Sequence, residues 1–159
     1  MAADTTASVQ VSATKPIYQP VGAGLVCRGF GTLAIAAAFE VGDIMQMYRL
    51  PKNAVVFDGM MYGGDLDDGT EALELDCGWA ANGTESLDAD GFGDLGVITG
   101  DAITGLRAAA SIYYPLQKTI FTDGPKSFSA ETVIQITAVA ASHGGHTGTI
   151  NLIILYTMD

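Results

Sequence analysis

The sequence predicts an all-β fold, an antiparallel β-sandwich. Three observations carry this. Apolar and polar residues alternate at period two in several segments, as a half-buried strand requires. Clusters of Gly, Pro, Asn and Asp punctuate those segments at short intervals. No stretch sustains the 3.6-residue period of a long helix. About eight strands fit this spacing, and their number points to a sandwich of jelly-roll type.

Residues 1–20 contain Pro16 and Pro20 and no sustained periodicity, and read as an extended N-terminal arm. Ala2–Thr14 is rich in Ala, Ser and Thr. Lys15-Pro16-Ile17-Tyr18-Gln19-Pro20 differs, because its prolines favour an extended backbone and Ile17 and Tyr18 offer apolar surface. This segment either lies on a neighbour's surface or packs on its own domain. Residues 21–159 form a single domain, long enough to bury a core.

Leu25–Phe30 and Gly31–Ala37 read as strands separated at glycines that mark a bulge or bend. Ala34–Ala38 has helix propensity, but Gly29, Gly31 and Gly42 leave little room for a helix. Ile44–Leu50 is a strand, ended by Pro51 and the turn-forming Asn53. Ala54–Tyr62 has apolar residues on both faces and is expected to be covered on both. The clearest alternation is Glu71–Trp79. It places Leu73, Leu75, Cys77 and Trp79 inward and Glu74 and Asp76 outward. With Ala54–Tyr62 it is expected to form a hairpin around the acidic loop Gly63–Thr70.

Ser86–Ala110 lacks alternation and reads as an irregular insertion with one or two short helical turns, Leu87 and Leu95 facing inward. Ser111–Phe121 is a strand broken by Pro115. Glu131–Ala140 is a strand with Ile134, Ile136 and Ala138 on one face. His143–Gly148 reads as a hairpin loop. Thr149–Met158 closes the chain. It has an apolar stripe at Ile150, Leu152, Ile154 and Tyr156, while Ile153 and Leu155 predict burial of the other face too.

Hydrophobic residues make up 48% and charged residues 16%, and the mean hydropathy is +0.30. So few charges imply that some apolar surface is hidden by other subunits. The net charge of −11 repels phosphate backbones and argues against nucleic-acid binding. No apolar run reaches the roughly 18 residues of a membrane helix, and Met1–Thr6 lacks the features of a secretory signal. Cys27 and Cys77 match no C-x-x-C pattern and are expected to be buried free thiols, as suits a reducing cytoplasm.

Catalytic signatures are lacking: no G-x-G-x-x-G, P-loop, G-x-S-x-G or H-E-x-x-H occurs in the sequence. A cysteine nucleophile needs a base, and the two histidines, His143 and His146, share one loop. Two imidazoles are too few for a closed zinc site within one chain. Asp65, Asp67, Asp68 and Glu71 resemble a calcium loop, but Thr70 stands at the sixth position, where glycine is needed, and the run from Asp88 and Asp90 puts Phe92 at the fifth, a ligand position. The expectation is a solvated acidic turn and no cofactor. Asn82-Gly83-Thr84 is a glycosylation sequon by pattern alone.

The succession Gly42-Asp43-Ile44, Leu50–Val56, Asp58-Gly59, Asp65–Gly69 and Leu73–Trp79 resembles small structural proteins of tailed bacteriophages. The ending Gly148–Tyr156 is similar to their closing strand. The resemblance implies a capsid decoration, or cement, protein: a jelly-roll homotrimer on the capsid exterior that binds the major capsid protein where shell subunits meet. It implies no enzymatic activity, and synthesis in the host bacterial cytoplasm. Lys15, Pro16, Ile17, Tyr18, Gln19 and Pro20 are the candidate capsid-contact residues. A head-fibre base, a tail component, or a glycan- or ligand-binding sandwich are the alternatives. Against the last, Trp79 is the only tryptophan and is in phase with the core.

Overall fold

The computed structural model describes residues 4–8, 11, 25–64, 66–67, 72–97, 111–115, 124–143 and 147–159, with backbone alone at 94–97 and 111–115. Among them lie ten strands: β1 (Thr5–Ala7), β2 (Cys27–Ile35), β3 (Ile44–Leu50), β4 (Ala54–Gly64), β5 (Glu74–Trp79), β6 (Asp88–Val97), β7 (Ser111–Pro115), β8 (Lys126–Phe128), β9 (Thr132–Ala140) and β10 (Gly148–Met158). They form an all-β sandwich. The first sheet has the order β1-β3-β9-β5-β6. The second has the order β2-β10-β4-β7, with β8 also paired to β4. The described pairings are antiparallel except that of β1 with β3.

Alternation puts one face of each sheet into a shared core. Met45, Met47, Leu50, Ile134, Ile136 and Leu75 enter from the first sheet. Val56, Met61, Ile150, Leu152, Ile154 and Tyr156 enter from the second. The strands thus contribute by phase, as the sequence predicts, and the Leu73-Leu75-Cys77-Trp79 stripe is buried along its length.

Partners differ from expectation. β4 and β5 do not form a hairpin, because they belong to opposite sheets. β9 and β10 likewise lie in different sheets, so His143–Gly148 is no hairpin loop. The chain arches from sheet to sheet after β2, β4 and β9, all at one end of the sandwich, where Ile35 pairs with Gly148 and Ile150 with Gly63. These arches are tied together. Phe39 and Ser142 exchange hydrogen bonds, Phe39 N–H to Ser142 Oγ at 2.9 Å and Ser142 N–H to Phe39 O at 3.3 Å.

Two further expectations are corrected, and an open alternative is decided for part of the N-terminal segment. Asp88–Val97 is a strand and not a helical turn, and Leu87 is exposed, while residues 98–110 of the expected insertion lie outside the described residues. Between the pairs Trp79–Asp88 and Cys77–Gly93, β5 advances two residues while β6 advances five. The surplus bulges out and erases the alternation a sequence reading relies on. Next, β2 is continuous, and its glycines do not interrupt it. They let it pass close over β3, since a Cβ at Gly31 would stand 2.1 Å from the Met47 carbonyl oxygen. Gly31→Ala should therefore cost about 2–3 kcal/mol in urea unfolding, because backbone must move to admit the methyl. Finally, part of the expected arm is packed on its own domain. Thr5–Ala7 pairs with Ile44–Gln46, the buried Ser8 hydroxyl donates to the Met47 carbonyl, and Val11 is buried.

Candidate interaction surface

The two sheets present unlike outer faces. On the first, the residues that alternate with the core include Gln46 on β3, Thr137 on β9, and Glu74 and Asp76 on β5, while Gln135 of β9 shares their phase but is buried. Asp94 of β6 lies in register with Asp76. Val133 and Val139 are the apolar exceptions on β9. This is a polar, acidic face suited to water.

On the second sheet the outward residues are largely apolar. Register sets them in rows across β2, β10 and β4. Phe30, Ile153 and Met60 form one row. Thr32, Asn151 and Tyr62 form the next, and the Thr32 hydroxyl lies 2.9 Å from Asn151 Oδ1. Arg28, Leu155 and Asp58 form the row on the other side. Phe30, Met60, Tyr62, Ile153 and Leu155 are half-buried, shielded by one another. The expected double-sided burial of β4 and β10 is thus complete on the core side only. The apolar residues on their second face, visible in the sequence, mark a surface.

The acidic turn is not simply solvated. Asp67 is 1% exposed. Its Oδ2 accepts the Ala72 and Leu73 N–H groups at 2.7 and 2.9 Å, and its Oδ1 accepts the His143 N–H at 2.6 Å. The carboxylate clasps the β4–β5 arch to the one after β9. Asp65, Asp68, Glu71 and His146 lie outside the described residues. Among the described residues no three His, Cys, Asp or Glu side chains gather to hold a metal ion.

Cys27 and Cys77 are free and buried. Burial pushes both thiols up, and for Cys77 the neighbouring Asp76 charge adds to it. Neither environment promotes a thiolate. Trp79 is 5% exposed and its Nε1–H donates to the Ser86 carbonyl at 3.1 Å, so no sugar ring reaches its face. Asn82 closes a turn: its Oδ1 accepts the Thr84 and Glu85 N–H groups, and its Nδ2 donates to Thr132 Oγ1 at 2.6 Å. An open cleft of about 640 Å³ lies between β1 and residues 36–40. Its Asp43 carboxylate is committed to the Asp4 and Glu40 N–H groups. The candidate contact residues Lys15–Pro20 fall outside the described residues.

No protein-family model and no curated protein sequence matches this chain. Solved structures do resemble it. A chain of the capsid of Ralstonia phage GP4 superposes with a TM-score of 0.73 at 18% identity, covering 98% of each chain. A chain of the cyanophage Pam1 capsid gives 0.61 at 16% identity, covering 94% of this chain and 96% of that one. A chain of the acid-stable capsid of Helicobacter pylori bacteriophage KHP30 gives 0.56 at 9% identity, covering 86% and 90%. The fold is therefore one found among the chains of phage capsids.

Proposed function

We propose that this chain is a structural virion protein that decorates a bacteriophage capsid. It binds the outer surface of the assembled shell where subunits of the major capsid protein meet, as a homotrimer. What carries this reading is the likeness of almost the whole chain to chains of three phage capsids. The unlike sheet faces support it: a decoration protein needs apolar surface for its neighbours and a polar face for water. The net charge of −11 suits a position away from packaged DNA. The role is structural and not catalytic, and the mechanism is linkage. A protein that binds the assembled shell and not its loose subunits stabilises the shell by mass action.

Co-sedimentation tests the reading. Shells assembled from major capsid protein alone are mixed with the purified chain. The chain should pellet with shells, leave unassembled subunits unbound, and raise the temperature at which shells dissociate. A chain that stays in the supernatant with intact shells removes the proposal. Lys15–Pro20 contributes to the contact in this reading. Because Thr5–Ala7 belongs to the first sheet, point changes are a cleaner probe than deletion. Ile17→Ser with Tyr18→Ser should weaken shell binding about tenfold, as loss of apolar anchors does. Unchanged binding removes the segment from the contact. Imaging of the virion separates this role from a head-fibre base or tail component.

A further inference from the structure

We propose that the outer face of the second sheet is where copies of this chain bind one another. The proposal rests on the homo-oligomer in the preceding reading and assigns its contact surface. The row Phe30–Ile153–Met60 gives the face an apolar centre on three adjacent strands. Val26 continues the phase of Arg28 and Phe30 beyond the end of β2 and is 64% exposed. An apolar patch of this kind on a chain with 16% charged residues calls for a protein neighbour.

Charge selects a second copy as that neighbour. Each copy carries −11, so copies repel over most of their surface. Among the described residues of β2, β4 and β10, this face holds one cation and one anion, Arg28 and Asp58, and their charges cancel. They flank Leu155, Arg28 on the β2 side and Asp58 on the β4 side. The face is therefore self-complementary. When the β2 side of one copy meets the β4 side of the next, Arg28 lies against the partner copy's anion. Such a head-to-tail contact makes every copy equivalent, and it closes into a ring when the rotation between copies divides a full turn. Burial of Leu155 between the pair excludes water and strengthens it.

Sedimentation equilibrium of the full chain without shells tests this at micromolar concentration. The mass should be a small multiple of 16.5 kDa. Ile153→Lys should reduce it to a single chain while circular dichroism keeps the native strand signal. Glu74→Lys, on the first sheet's outer face, should leave the multiple intact. Arg28→Asp should weaken association at least about tenfold, as a like-charge contact does, and Arg28→Asp with Asp58→Arg should restore it. Arg28 is exposed, so the exchange decides the matter even where Ile153→Lys fails to fold. A wild-type chain of 16.5 kDa overturns the proposal, as does an Ile153→Lys oligomer or an exchange that restores nothing. A single wild-type chain that loses shell binding on Ile153→Lys assigns the face to the shell instead. Co-sedimentation separates the two readings: a monomer that decorates shells sinks this inference alone, and an oligomer that ignores shells sinks the function alone.

Discussion

Replacing Asp67 by alanine is expected to cost the domain about 2–4 kcal/mol in urea unfolding, as one buried and two part-buried donors lose their acceptor together. The carboxylate takes hydrogen bonds from Ala72, Leu73 and His143. Leu73 is fully buried, so water cannot replace its partner. The change also unties two arches that carry the chain between sheets, and opens a route to the core beneath Leu66 and Leu73. Asp67→Asn should lose less, because one oxygen still accepts while the new amide meets an N–H. Glu74→Ala, which removes a half-exposed carboxylate from the first sheet's outer face, should stay within about 0.5 kcal/mol. Equal losses for Asp67→Ala and Glu74→Ala would show that the clasp contributes nothing.

Trp79→Ala is the second large loss, about 3–5 kcal/mol, the usual range for truncating a buried aromatic. Its ring meets Phe92 edge-on with centroids 5.1 Å apart and Phe128 with centroids 5.4 Å apart. Phe128 arrives on β8 from the second sheet, so this cluster joins the two layers. Lys126 Nζ lies 4.8 Å from the Trp79 ring centroid and pairs with Glu85 at 2.6 Å. Alanine leaves a cavity bounded by two rings and a cation that has lost its aromatic face. Trp79→Phe keeps most of the packing and loses the hydrogen bond to Ser86, so about 1–2 kcal/mol is expected. Chemical denaturation followed by circular dichroism measures both, because the change removes the only tryptophan.

The acidic loop shows how far residue type carries. Three aspartates between glycines read as a solvated turn, and composition does not say which carboxylate folds inward. Asp67 does, because two arches meet there and their N–H groups need an acceptor. His143 supplies part of that need from 76 positions away. The apolar surface was easier to find. Ile153 and Leu155 on β10, and Met60 on β4, break the polar-out rule in the sequence itself. The sequence cannot say whether such a face is covered by this chain or by a neighbour.

Alternation and turn residues determined the all-β class, the bounds of Ile44–Leu50 and the inward stripe from Leu73 to Trp79, because side-chain phase and turn chemistry are local properties. The two-sided apolar pattern of β4 and β10 was likewise legible as local phase, though not what covers the second face. Only the tertiary structure decided which strands pair, that β4 and β5 lie in opposite sheets, and that β6 is a strand despite its bulge. Pairing depends on which distant backbone meets a strand's free N–H and C=O groups, and nothing within the strand encodes its partner. The same reason hid the roles of Asp67 and Gly31. One accepts from distant backbone and the other makes room for it, and both needs exist only once the two sheets have closed on each other.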